Sequence, residues 1–452
     1  MRRSRREARI SNADVAGPPL SPLQSGVRPL SGVWRLLLPA ILVLYVVFAS
    51  VHAVRTPTGA TGYQDAPDEE AHITQVRVIA SGRLPTRAMP GVDSTDTRPS
   101  YEWHQPPLYY FLAARILPFG VKAVRFLSIL IGIACIITVF RCGRIVCSDR
   151  PEIAAFAAGI AALIPGHIAI TSVVNNDGLL ELFFSSFLML LCSALVDGLT
   201  VRRSLWIGVL LAGALLTKVT ALMLLPVTIG WLVVLWTNGQ KKSELVRSAF
   251  VIVVSVMALS GWWYARNALL YHEWLPLTAF NEAFAGTTKA TDVIAGRVGV
   301  PVSGWPGYAA LVANWTFQSF FAVYSTARGA QWGVPSFLPK QLYLLSGLTG
   351  ITSAAGLLKI FVRNRSEVGG LQLQCLGLMG VTVSLVTFSF ILFTAKYFQA
   401  QGRYFYPALM PIVLFCSIGW RGLFPTRYVE PASWLLLTFL AVFCVAFIQV
   451  TG

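Results

Sequence analysis

Eleven apolar runs of bilayer-spanning length recur along the chain, at residues 34–54, 121–147, 153–171, 178–198, 204–219, 221–237, 247–268, 340–362, 369–394, 404–422 and 431–450. A helix of about 20 residues crosses about 30 Å of hydrocarbon, and only structures that close their own backbone hydrogen bonds survive there. The sequence therefore predicts an all-α polytopic membrane protein with about 11 transmembrane helices. A composition 55% hydrophobic and only 12% charged excludes an ordinary soluble domain.

The net charge of +16 suggests nucleic acid at first sight. The Arg and Lys residues, however, sit in short runs between apolar segments, as orientation signals do, and nucleic acid is not an expected partner. With residues 1–33 as a basic cytoplasmic tail, alternation puts Arg141, Arg144 and Arg150, then Arg202 and Arg203, Lys241, Lys242 and Arg247, Arg363 and Arg365, and Arg421 and Arg427 all on the cytoplasmic side. The first span is long enough to remain as an uncleaved helix rather than a signal peptide. Residues 34–452 then form one membrane domain with two large outward loops, 55–120 and 270–339. The short apolar stretch Pro106 to Gly120 fits the charge pattern only as an interfacial or re-entrant helix. Seven cysteines lie in or beside apolar segments without a CxxC pair, and they read as small buried hydrophobes. No internal repeat is visible.

Several polar residues exceed what a membrane fold needs. In APDEEAHIT, Pro67 followed by Asp68, Glu69 and Glu70 opens a helical stretch that ends near Gly82, and the helix dipole favours acids in a first turn. Capping suits Glu70, but it leaves unexplained His72, one turn beyond Asp68 on the same face. Ile73, Val76 and Ala80 form the opposite side, expected to face the membrane. In EWHQPPLYYF, His104 and Gln105 form a polar entrance to an aromatic segment, where Tyr109 and Tyr110 suit either an aromatic belt or a substrate site. His104 with Glu69 or His72 offers candidate ligands for a divalent metal, although the spacing is that of no closed site. In SVVNNDGLLEL one of Asn175, Asn176 and Asp177 suffices as a helix cap, and three exceed that need. Glu181, inside a span, must be paired or face a cavity.

Lys218, Arg266 and Arg403 stand at outward helix ends where orientation does not require them; each either snorkels to lipid phosphate or serves a site. Sorted by face, acids and cations collect on one side. Together they suit a carboxylate that activates a nucleophile while cations stabilise an anionic leaving group. The second loop, rich in Trp, Phe, Gly and Ala and holding Arg297, Asn314, Trp315 and Gln331, reads either as an acceptor-recognition surface or as a structural cover.

The ordered set PDEEAH, HQPPLYY, NND, LLTK, WWYARN and QGRYFYPAL resembles the GT-C superfamily of integral-membrane glycosyltransferases. The resemblance is to the clan of protein O-mannosyltransferases and aminoarabinose transferases, and within it to a bacterial branch. It implies inverting transfer of a sugar from a polyprenyl-phosphate donor to a glycan, lipid or protein acceptor, at the extracytoplasmic face of the plasma (inner) membrane. By position it implies Asp68 as the catalytic base, Glu69 as the group that orients the acceptor or a metal, and Asp177 as the second functional acid. Lys218 and Arg403 match the partners of the donor phosphate, with Arg266 beside them. His72, His104, Gln105, Tyr109 and Asn176 fall in the substrate or metal vicinity. Relatives carry an acidic or basic residue where His104 and Gln105 stand. No nucleotide-binding fingerprint occurs, so a nucleotide-sugar donor is not expected. The competing class is a secondary transporter or lipid flippase, which places ionisable groups near the bilayer midplane.

Overall fold

The computed structural model describes residues 29–30, 32–58, 66–86, 101–283, 285–324, 335–363 and 368–451. Most of the basic tail, the middle of the first loop and Gln331 lie outside them. Seventeen α-helices follow one another among the described residues. The first half holds α1 (Trp34–Arg55), α2 (Glu69–Ala80), α3 (Leu108–Ile116), α4 (Val121–Val146), α5 (Pro151–Ala162), α6 (Pro165–Ile170), α7 (Asp177–Asp197) and α8 (Val201–Leu215). Next come α9 (Leu224–Thr237), α10 (Lys242–Tyr271), α11 (Leu277–Ala283), α12 (Ala290–Ile294) and α13 (Gly304–Phe321). The chain ends in α14 (Lys340–Arg363), α15 (Gly370–Lys396), α16 (Leu409–Leu423) and α17 (Thr426–Val450).

Among the described residues nine helices are long and apolar enough to cross a membrane. The remaining two expected spans are present as shorter pieces of the same bundle. The run 153–171 is interrupted before Pro165, which has no N–H to continue the ladder, giving α5 of 12 residues and α6 of 6. The run 204–219 becomes α8, whose 15 residues end in a tight turn before Lys218. α5 packs against α1, α4 and α16, and α8 against α7 and α10. Rich in Ala and Gly, α5 is buried on nearly every side, because small side chains let neighbouring backbones close in where lipid provides no hydrophobic drive. The protein is thus a multi-pass membrane protein of all-α architecture.

The segment 106–120 is too short to cross. α3, at 9 residues, lies against α2 and α4. This changes the surroundings of α2. Most of its apolar side does not face lipid as expected: Ile73 and Val76, with Ile79, are buried against Tyr109, Tyr110, Ala113 and Val124, because α3 covers them, whereas Ala80 is exposed. Alternation of the long helices brings the C-terminal ends of α1, α8, α10 and α15 and the N-terminal ends of α4 and α7 to one end of the bundle. The turn 402–408 that precedes α16 lies there too. Asp68, Asp177, Lys218 and Arg403 meet at that end, with Glu181 one turn inward on α7.

Candidate active site

Asp68 opens α2 from a left-handed backbone conformation, φ 63° and ψ 5°, which few residues other than Gly, Asn and Asp adopt. It occupies the N-cap position without making a side-chain cap hydrogen bond. Its carboxylate instead accepts a hydrogen bond from Arg403 Nη2, 335 positions away in sequence. Arg403 Nη1 lies 3.6 Å from Asp177 Oδ2, and Lys218 Nζ donates to Asp177 Oδ1 at 2.5 Å. Two acids and two cations from four separate elements therefore form one continuous ionic group. Asp68 has 24% of its side chain exposed against 8% for Asp177, so Asp68 is the acid open to an incoming molecule.

Each member is held by local structure. Asn175 accepts the Asp177 backbone N–H through Oδ1 at 2.6 Å, which leaves the Asp177 carboxylate without capping duty. Asn176 Nδ2 donates to the Thr217 carbonyl at 3.1 Å, joining the NND turn to the LLTK turn. The Leu108 N–H donates to the Leu216 carbonyl, which brings the HQPP segment to the same place. Arg403 Nε donates to Gln401 Oε1 at 2.7 Å, and its guanidinium lies over the Tyr404 ring. The preceding Gly402 lets the turn press onto α13: its N–H donates to Ser319 Oγ at 2.8 Å, and a Cβ there would collide with the Phe320 backbone.

Glu69 is the main correction to the sequence reading. Its two oxygens accept from Arg125 Nη2 and from Arg125 Nε at 2.8 Å, and Oε1 also accepts the Val174 N–H at 2.8 Å. Arg125 is fully buried and further donates to the carbonyls of Ala53, Thr56 and Pro57. Glu69 is thus committed to a keystone that ties the end of α1, the start of α2, α4 and the turn before Asp177. Both of its oxygens are engaged in this way, which differs from the acceptor- or metal-orienting role expected from the sequence. Arg125 was missed in the sequence. It is a cation near the end of a span where no basic loop is expected, the same signal that singles out Lys218.

Glu102 was also missed, and it belongs to the electrostatic surroundings of the ionic group, alongside His72, Asp68 and Lys218. Burial pushes its carboxyl pKa up, and the neighbouring Asp68 adds to the effect. His72 is buried, with Nδ1 2.8 Å from the Tyr110 hydroxyl. Tyr109 is equally buried, and its hydroxyl accepts the Asn175 N–H at 3.1 Å. Neither tyrosine is a membrane-belt residue, since both support the site from behind. His104 packs edge-on against Trp103 and Phe280, and Gln105 is buried near Glu102. Arg266 does not join the ionic group: it donates to the Pro85 carbonyl at 2.6 Å and stacks over Trp263, pinning the first loop.

Burial holds the His72 imidazole below its ordinary value of 6.5. A depressed histidine contributes stability that is fully present above the unfolded value and is lost as pH falls through the folded one. Acidification from about pH 7.5 to about pH 5 is therefore expected to lower the thermal midpoint of the solubilised protein, and His72→Gln to blunt that fall. Parallel wild-type and variant melting curves across that range would show that His72 is not the group responsible.

Among the described residues no group of three or more His, Cys, Asp or Glu side chains is arranged to hold a metal ion.

Residues 104–263 match the family model of the dolichyl-phosphate-mannose-protein mannosyltransferases. Nearly the whole chain also superposes on solved structures of the oligosaccharyltransferase of the archaeon Archaeoglobus fulgidus. The structure tethered to an acceptor peptide containing the NVT sequon matches with a TM-score of 0.52 at 14% identity, covering 93% of this chain and 55% of that one. The complex with an inhibitory peptide and a dolichol-phosphate gives 0.50 at 14% identity, covering 93% and 55%. The complex with Zn and sulfate gives 0.51 at 15% identity, covering 92% and 53%. The fold is therefore that of the GT-C glycosyltransferases, and the resemblance read from the sequence holds at that level. The chain spans a little over half the length of these oligosaccharyltransferase chains. No curated protein sequence matches it.

Proposed function

We propose that this protein is an inverting glycosyltransferase that moves a sugar from a polyprenyl-phosphate carrier to a hydroxyl acceptor at the extracytoplasmic face of the plasma membrane. The observation that carries this reading is the single ionic group of Asp68, Arg403, Asp177 and Lys218 at one end of the bundle. Asp68 removes the proton of the acceptor hydroxyl as its oxygen attacks the anomeric carbon from the face opposite the phosphate. The bond from that carbon to the phosphate oxygen breaks, and polyprenyl phosphate leaves with the electron pair. Lys218 and Arg403 move from their carboxylate partners to the phosphate and stabilise its growing charge, a charge-assisted contact strengthened in a poorly hydrated site. Asp177 holds both cations in position before the donor arrives.

An isoprenoid tail explains why such a site sits on membrane helices: the tail stays in lipid while the head reaches the surface. The matched family is described by its dolichyl-phosphate-mannose donor, and one matched oligosaccharyltransferase is bound to a dolichol-phosphate. Both support a lipid-phosphate donor here. In this reading residues 34–452 form one catalytic domain, the basic tail is cytoplasmic, and residues 55–120 and 270–339 form the outward loops. The transporter alternative draws no support from the comparisons, and the ionic group lies at helix ends rather than at the midplane that such a mechanism uses.

Deletion of the gene followed by mass spectrometry of lipid-linked sugars and envelope glycans tests the reading. A polyprenyl-phosphate sugar should accumulate and one glycan modification should vanish; unchanged profiles of both would refute it. Lys218→Ala and Arg403→Ala are each expected to lower kcat/KM for the lipid donor by about 10–100-fold, the worth of one hydrogen bond to a charged group. Steady-state kinetics with a fixed acceptor checks this, and an unchanged kcat/KM would remove the residue from the phosphate site.

A further inference from the structure

One turn inward from Asp177 on α7, Glu181 is 1% exposed and lies 3.1 Å, Oε2 to Nε2, from His167, which is fully buried on α6. Such a pair is rarely justified by stability: taking two ionisable groups out of water offsets most of what their attraction returns, and apolar residues of the same size do as well. Inside a span it indicates a role that needs its geometry. The two groups are close but not aligned for a straight hydrogen bond, and His167 Nδ1 has no partner among the described residues. Their position tells more. The edge of the His167 ring meets Tyr406, ring centroids 5.7 Å apart. Tyr406 lies in the 402–408 turn that carries Arg403, and its hydroxyl donates to the Phe320 carbonyl at 2.8 Å. α6 approaches this turn so closely that a Cβ on Gly166 would collide with the Tyr406 hydroxyl and the Phe320 carbonyl.

His167 is therefore a wedge between two elements: the helix that carries Asp177 and the turn that carries Arg403. These meet above it at the longest contact of the ionic group, the 3.6 Å between Arg403 and Asp177. Lys218 pairs with the other oxygen of Asp177, so the two cations flank one carboxylate, and a phosphate that takes over its place meets both. We propose that His167 and Glu181 are positioning residues that set the spacing between Lys218 and Arg403 for a phosphate monoester, acting through α7 and the 402–408 turn without touching the ligand. The inference rests on the donor assigned under the proposed function.

The test is binding of decaprenyl phosphate to the full chain in detergent, followed by native mass spectrometry. Glu181→Leu and the double variant His167→Leu/Glu181→Leu, which strands no carboxylate, should each weaken binding about tenfold while the thermal midpoint stays near that of wild type. Glu181→Gln keeps the length and polarity of the side chain beside the imidazole, and it should bind within about twofold of wild type. Ser185→Ala, buried one turn further along the same stripe of α7 and free of His167, should leave binding unchanged. If a leucine variant fails to fold, His167→Asn, which shortens the wedge and keeps it polar, takes its place with the same expected loss. Wild-type affinity in the folded leucine or asparagine variant overturns the positioning role, as does a Glu181→Gln variant as weak as Glu181→Leu. Absence of decaprenyl phosphate binding by the wild-type protein overturns the donor assignment itself and this inference with it.

Discussion

Asp68→Asn is expected to lower sugar transfer by about 10²–10⁴-fold, the range in which a positioned general base contributes. The substitution is close to isosteric. The amide oxygen still accepts from Arg403, and asparagine tolerates the left-handed backbone as well as aspartate does. Folding should therefore persist. Removing the negative charge also weakens the hold on Arg403, so affinity for polyprenyl phosphate should hold or rise while turnover collapses. This split separates a base from a residue that only maintains the fold. Transfer at the wild-type rate would exclude Asp68 as the base, and loss of donor binding together with turnover would make it a structural residue.

The largest stability effect is expected at Arg125. Replacement by Met leaves Glu69 buried with only the Val174 N–H, and removes the donor shared by the carbonyls of Ala53, Thr56 and Pro57. An ion stranded in this way costs about 3–5 kcal/mol, a large share of the total stability of a typical domain. The yield of folded protein and the thermal midpoint in detergent should both fall sharply. Adding Glu69→Leu to Arg125→Met should recover part of the loss, since removing both charges strands neither. A single variant that melts like wild type would mean that the keystone is not the anchor its geometry describes. Because Glu69 adjoins Asp68 and Val174 lies three residues before Asp177, loosening this pair also displaces both acids relative to each other.

How much of this was legible in the sequence follows from what each signal measures. Span lengths and the alternation of basic loops report on the bilayer, so the helical architecture and the common end of Asp68, Asp177, Lys218 and Arg403 could be read directly. The Pro165 break was visible as a residue but concealed by the continuous apolar run around it. Glu69 misled because adjacent acids at a helix start look alike, while the left-handed backbone at Asp68 sets it apart from the helical Glu69, one paired with Arg403 and the other with Arg125. The burial of Tyr109, Tyr110 and α2 depends on α3 folding back over them, a long-range contact without a local pattern. Arg125 and Glu102 required the charge accounting that identified Lys218 to be applied to every span end. The partner of Glu181 was expected to exist, and only the fold shows it to be His167.

The most direct test of the central claim follows the fate of the lipid phosphate in purified, reconstituted protein. With a polyprenyl-phosphate-linked sugar and a cell-envelope acceptor fraction, each sugar transferred should release one polyprenyl monophosphate, and NMR of the product should show inverted configuration at the anomeric carbon. Retained configuration, release of a diphosphate, or intact donor recovered in the opposite leaflet without transfer would contradict it.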